Sequence, residues 1–118
     1  MHQLSSILIV EDQHILRELL IEILVDAGFL VAGCDSAEAA QEMLAEEPYD
    51  AIIADNTLAG DLTGMDLLRW AANRYPALGL VLLSGNPHSR TNLPARTVFL
   101  SKPCTIIQLT DALSQAKK

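Results

Sequence analysis

The chain lacks any long apolar stretch. No segment approaches the ~18–20 consecutive apolar residues that span a bilayer, and the N-terminus MHQLSS has no basic lead into an apolar run, so neither a membrane span nor a secretory signal is expected. Cysteine is scarce. Cys34 and Cys104 are the two in the chain, without CxxC or CxxH spacing. That excludes a disulfide framework and a zinc finger, and points to reduced thiols in the cytoplasm. Positive charge is also in short supply, with eight Lys and Arg against fifteen Asp and Glu and a formal net charge of −7. Nucleic-acid phosphates are neutralised by basic side chains, so direct binding of nucleic acid by this chain is not expected. Protein partners or a cation suit the balance better.

Apolar residues make up 50% of the 118, enough for a core without covalent staples and for one domain, residues 1–118. They fall in two patterns. Short runs rich in Val, Ile and Leu occupy residues 7–10, 29–32, 49–54, 78–83 and 98–100. They do not alternate with polar residues, which is how strands buried on both faces read. Between them lie helical periodicities. Leu16, Leu19, Leu20, Ile23, Leu24 and Ala27 mark one face of a first helix, stopped by Gly28. Asp35 or Ser36 can cap a second, with Ala40, Met43 and Leu44 inward. Thr63 and Asp66 have capping-box spacing for a third, with Leu68, Ala72 and Tyr75 inward. Thr105 can cap a last helix whose inward residues are Ile106, Leu109, Leu113 and Ala116. Strand–helix alternation of this kind predicts an α/β doubly wound parallel sheet with helices on both faces. One connection breaks the rhythm: SGNPHSRTNLPARTV, with its prolines, glycine and asparagines, predicts a helix that is short or replaced by loop.

In such a sheet the functional crevice lies outside the carboxyl ends of the strands. The first apolar run is followed by Glu11 and Asp12, the third by Asp55, the fourth by Ser84 and the fifth by Ser101 and Lys102. The pattern thus predicts three carboxylates, a hydroxyl and an ammonium on one rim. Carboxylates held close repel, and one is driven toward protonation unless a cation relieves them. Oxygen ligands without nearby His or Cys favour Mg²⁺ over zinc. Metal, ammonium and hydroxyl together suit phosphoryl transfer, and an Asp carboxylate can act as covalent nucleophile.

On VEDQ after the first strand, IIADNTLAG around Asp55, LLSGN after the fourth strand and FLSKP in the fifth, the chain resembles a receiver domain of a two-component response regulator. The resemblance covers essentially the whole chain. It implies a flavodoxin-like five-stranded sheet in the order 2-1-3-4-5, with Asp55 accepting a phosphoryl group from a phosphohistidine on a histidine kinase or histidine phosphotransferase. It implies Mg²⁺ held by Glu11, Asp12, Asp55 and the backbone carbonyl of Thr57, with Ser84 and Lys102 meeting the phosphoryl oxygens and Phe99 moving as a switch. A downstream protein target or a fused output domain would read the change. The sequence departs from the family pattern at Ala59, where proline is common, and in the 85–98 segment. There His88, Arg90 and Arg96 form a locally basic loop that is a candidate partner surface.

Three other readings fit the residues less well. A haloacid-dehalogenase-type Mg²⁺ phosphatase would need a second acid where Thr57 follows Asp55, and a cap domain. A receiver-like interaction module that works without phosphorylation would have no need of the intact acids and lysine. A calcium loop over residues 55–66 has Ala59 at a ligand position and a strand-like run where a helix is required.

Overall fold

A computed structural model describes residues 5–86 and 93–116. Five strands, β1 (Ser6–Val10), β2 (Leu30–Cys34), β3 (Ala51–Asp55), β4 (Gly79–Ser84) and β5 (Thr97–Ser101), form one parallel sheet in the order β2-β1-β3-β4-β5. Among the described residues there are four helices: α1 (His14–Asp26), α2 (Ala37–Glu46), α3 (Gly64–Arg74) and α4 (Ile106–Ala116). This is the doubly wound sheet expected from the alternation, in the flavodoxin-like order implied by the resemblance. Residues 87–92 of the β4–β5 connection, including His88 and Arg90, lie outside the described residues. Arg96, just before β5, is exposed and has a positive φ of 70°.

The two-residue period of a strand sends alternate side chains to opposite faces. Leu8, Val10, Ile52, Ala54, Leu80 and Leu82 meet α2 and α3. Ile7, Ile9, Ala51, Ile53, Val81 and Leu83 meet α1 and α4. The three central strands are therefore buried on both sides, as their sequences foretold, apart from the start of β1. The flanking strands β2 and β5 are only half covered, because each has a neighbour on one edge alone.

The helix ends follow local chemistry. Ser36 Oγ accepts from the Ala39 amide at 3.1 Å, so Ser36 and not Asp35 caps α2. Thr63 and Asp66 cap each other reciprocally at the start of α3, and Thr105 and Gln108 do the same for α4. Gly28 closes α1 at φ 101°, a conformation that costs side-chain-bearing residues.

The inward faces of α1 and α4 differ from the expected ones. In α1 the buried residues are Leu20 and Leu24, with Leu16 and Ile21 packed beside them, while Leu19 is 51% exposed and Ala27 is exposed. The helix is rolled toward β2, where Ile21 and the stem of Arg17 lie over Gly33. In α4, Leu109, Ala112, Leu113 and Ala116 are buried, but Ile106 is 41% exposed because it stands in the first turn, beyond the end of the sheet. No described helix is long and apolar enough to cross a membrane.

Candidate functional site

Three strand ends converge. β1 delivers Glu11 one residue past its last rung, and the Glu11 amide continues the ladder by donating to the Cys34 carbonyl at 3.0 Å. Asp12 follows, partly exposed. β3 ends on Asp55, 7% exposed. β5 ends on Ser101, and the next residue, Lys102, donates its amide to the Ser84 carbonyl at the end of β4, 3.0 Å away. One carboxylate oxygen from each of Glu11, Asp12 and Asp55 falls within 4.8 Å of the others. Lys102 Nζ reaches over them, 2.7 Å from Asp55 Oδ2 and 3.6 Å from Glu11 Oε1.

Glu11 is the most constrained of the acids. It is 1% exposed. Its Oε2 accepts from the Gln13 amide at 3.1 Å, whereas its buried Oε1 receives no hydrogen bond from the described residues. Burial pushes the carboxyl up from an ordinary 4.5 to about 7, with a smaller push from Asp55, while the Gln13 amide and Lys102 hold it back. An orphaned buried carboxylate oxygen beside two further carboxylates is a donor set short of one hard cation. All the donors are oxygens, which fits Mg²⁺ and does not fit a thiolate-preferring metal. Glu11, Asp12 and Asp55 are the residues that could hold it.

The shift has a consequence for pH. Folded, ion-free protein keeps a proton on Glu11 up to about pH 7, whereas the unfolded chain loses it near 4.5. A carboxyl whose pKa rises on folding favours the folded state at low pH, and that contribution is lost as pH climbs through the folded value. In chelator, this group's share of stability therefore falls between about pH 5 and about pH 8. Mg²⁺ requires the ionised form, so its affinity should rise over the same window, with proton release on binding below neutrality. Thermal melts with and without Mg²⁺ across the window check both signs. A gap between the two melting curves that narrows as pH rises would contradict this account of Glu11.

The remaining expected residues are placed as follows. Thr57 is exposed, and its amide donates to Asp55 Oδ1 at 3.3 Å, so it stands beside the Asp55 carboxylate. Ser84 is 5% exposed; its Oγ accepts from the Asn86 amide at 3.1 Å and donates to the Asn86 carbonyl at 3.3 Å. Phe99 is half-buried, pairs with Leu82 in the ladder and packs against the core on the α2–α3 side. Arg96 precedes β5, at the amino end of the strand whose carboxyl end delivers Lys102 to the rim. Cys34 is half-buried with its thiol pushed up to about 11 by burial, and Cys104 is raised in the same direction for the same reason.

Sequence reasoning missed two supporting residues. Asn56 ties the loop after β3 together: its amide donates to the Leu83 carbonyl, its carbonyl accepts from Gly64, and its Oδ1 accepts from the Met65 amide at 3.3 Å. Gly64 lies so close that a Cβ there would sit 2.2 Å from the Asp55 carbonyl oxygen. The only sequence signal for Gly64 was a glycine just inside a capping box, a place where helix propensity alone disfavours it.

A sequence model of the response regulator receiver domain family matches residues 7–114. The chain is 30% identical to the response regulator receiver protein CpdR of Brucella abortus over 121 residues, covering 98% of this chain and 96% of that protein. It is also 30% identical to an NtrX-like response regulator of Rickettsia bellii over 118 residues, covering 96% of this chain but only 25% of that protein. A crystal structure of a response regulator receiver protein from Sinorhizobium medicae superposes with a TM-score of 0.87 at 30% identity, over 98% of this chain and 95% of that one. The fold, the acid–lysine rim and these likenesses agree: the chain belongs to the response regulator receiver domains of two-component signalling systems.

Proposed function

We propose that residues 1–118 act as a single phosphoacceptor unit in the cytoplasm, taking a phosphoryl group from the phosphohistidine of a histidine kinase or histidine phosphotransferase onto Asp55. The observation that carries this reading is Asp55 itself. It is a nearly buried carboxylate 2.7 Å from an ammonium and within cation-sharing distance of two further acids. One Asp55 oxygen attacks phosphorus as the phosphorus–nitrogen bond breaks, and the leaving imidazole takes up a proton. Bound Mg²⁺ would offset charge on the transferring phosphoryl oxygens. Glu11 and Asp12 would hold it, together with Asp55 and the Thr57 carbonyl. Lys102, already on Asp55 Oδ2, supplies a second positive charge to the phosphoryl oxygens without a large movement.

Phosphorylation adds about −1.5 to −2 charge and new acceptor oxygens. Ser84 Oγ can donate to one of them only by giving up its bond to the Asn86 carbonyl. That exchange loosens the start of the β4–β5 connection, and Phe99 on the neighbouring strand is placed to repack as the connection shifts. The coupling needs only the differential stabilisation of one of two states, ~1–3 kcal/mol in such systems. His88, Arg90 and Arg96 belong to that connection by sequence and are the candidate partner residues of this reading. The reader of the switch is a protein target or an output domain in a longer chain, since this chain spans a quarter of its NtrX-like relative.

Incubation with acetyl phosphate and MgCl₂ tests the reading. The wild-type chain should gain one acid-stable, base-labile phosphoryl group, and Asp55→Asn should gain none. Continuous phosphate release over many turnovers would instead indicate a phosphatase. A wild-type chain that takes no label from small donors or from any phosphorylated kinase would indicate an interaction module that works without phosphorylation.

A further inference from the structure

The turn that carries both Glu11 and Asp12 joins a buried strand to α1, and α1 starts poorly. Gln13, its N-cap, makes no side-chain capping bond, and the first turn holds no acid. The first turn or so instead contains a cation, Arg17, which opposes the partial positive charge of a helix N-terminus. Arg17 therefore gains little from the helix, and its partners show where it is used. One guanidinium nitrogen donates to the Glu11 carbonyl at 2.9 Å. The other is 3.0 Å from His14 Nδ1, and since guanidinium can only donate, that ring nitrogen is the acceptor. Among the described residues no carboxylate lies within ion-pair distance of it. Arg17 thus spends its charge on neutral acceptors at the two ends of the turn, residues 11 and 14, with Asp12 between them.

The neighbouring strand makes room for this reach. A Cβ on Gly33 of β2 would sit 3.3 Å from both Cγ and Cδ of Arg17 and 2.8 Å from Ile21 Cδ1. A side chain at position 33 would press most on Ile21 and crowd the Arg17 stem by a few tenths of an ångström along the line it follows to the Glu11 carbonyl. Glu11 is held at three points as a result: its amide by Cys34, its carbonyl by Arg17 and its Oε2 by Gln13.

We infer that Arg17 is a positioning residue for the acid pair, a clamp seated on Gly33 that fixes the β1–α1 turn so that Glu11 and Asp12 present their carboxylates before a divalent cation arrives. The inference rests on the Mg²⁺ site of the proposed function. Without the clamp the turn samples other conformations, and binding has to bear the cost of ordering it.

The test is calorimetric titration of the full chain with MgCl₂ alone. Arg17→Met keeps the apolar stem and removes both hydrogen bonds. It should weaken Mg²⁺ binding roughly tenfold, in the range seen when outer-shell partners of metal ligands are lost. Arg17→Lys, which can reach one acceptor but not both, should recover part of that loss. Gly33→Ala should weaken binding in the wild type yet add little in the Arg17→Met background, because both changes release the same clamp. The Gln13 amide should exchange faster with solvent in Arg17→Met. An Arg17→Met protein that melts lower but binds Mg²⁺ within about twofold of wild type would reduce Arg17 to a helix-stabilising residue and overturn the inference, leaving Asp55 phosphorylation untouched. Should Arg17→Met fail to fold, Arg17→Lys and Gly33→Ala decide in the same way. A wild-type chain without Mg²⁺ affinity would overturn both this inference and the metal site beneath it.

Discussion

Asp12→Ala should bind Mg²⁺ at least about 100-fold more weakly than wild type while its ion-free form becomes more stable. The two effects have one origin. Three carboxylates converge within 4.8 Å, and among the described residues Lys102 is the one cation in ion-pair reach of them. Removing Asp12 relieves repulsion worth on the order of 1 kcal/mol once solvent screening of this partly exposed group is allowed for. The same removal deletes the most accessible of the three oxygen ligands. Loss of mere outer-shell support costs ~10–100-fold in metal affinity, so loss of a ligand sets a higher floor. Titration calorimetry with MgCl₂ and thermal melts in chelator measure the pair. A folded Asp12→Ala protein with wild-type Mg²⁺ affinity would remove Asp12 from the site. An ion-free form that melts lower would mean that Asp12 has a structural partner outweighing the repulsion.

Gly64→Ala should be among the most damaging single-methyl additions in the chain. Propensity points the other way, since alanine is favoured over glycine inside a helix by up to ~1 kcal/mol. Sterics decide. The added Cβ would stand 2.2 Å from the Asp55 carbonyl oxygen, 2.8 Å from the Asp55 carbonyl carbon and 2.9 Å from Asn56 Cα, all backbone atoms that no rotamer change can move aside. The first turn of α3 must then withdraw from the end of β3, stretching the Gly64 amide from the Asn56 carbonyl it meets at 3.0 Å. A loss of ~3 kcal/mol is expected, in the range of overpacked cores with backbone displacement. Because the displaced atoms belong to Asp55, the proposed acceptor, labelling by acetyl phosphate should slow by more than about tenfold even in the folded fraction. Urea denaturation and single-turnover labelling report the two effects separately. A Gly64→Ala protein within ~0.5 kcal/mol of wild type, labelled at the wild-type rate, would show that the approach of α3 to β3 is not rigid.

The sequence by itself determined the sheet and the membership of the rim. Uninterrupted Val, Ile and Leu runs alternating with helical periods read as strands of a parallel sheet, and the residue after each run then emerges at a carboxyl end. For that reason Glu11, Asp12, Asp55, Ser84 and Lys102 were legible without coordinates. The capping pairs Thr63–Asp66 and Thr105–Gln108 are local, and Thr63–Asp66 and the cap residue Thr105 were legible for the same reason. What a single chain segment cannot encode is the distance between segments. The roll of α1 that turns Leu19 to solvent brings Ile21 and the Arg17 stem over Gly33 on a different strand, and the broad apolar stripe of that helix was compatible with several rolls. The need for glycine at position 64 comes from a backbone nine residues earlier. The orphaned oxygen of Glu11 and the reach of Arg17 to its carbonyl exist only once β1, β2 and α1 are packed together. Composition and period fix which groups arrive at the rim; close packing between elements distant in sequence fixes how near they stand, and with it the charge, the protonation and the grip on a cation.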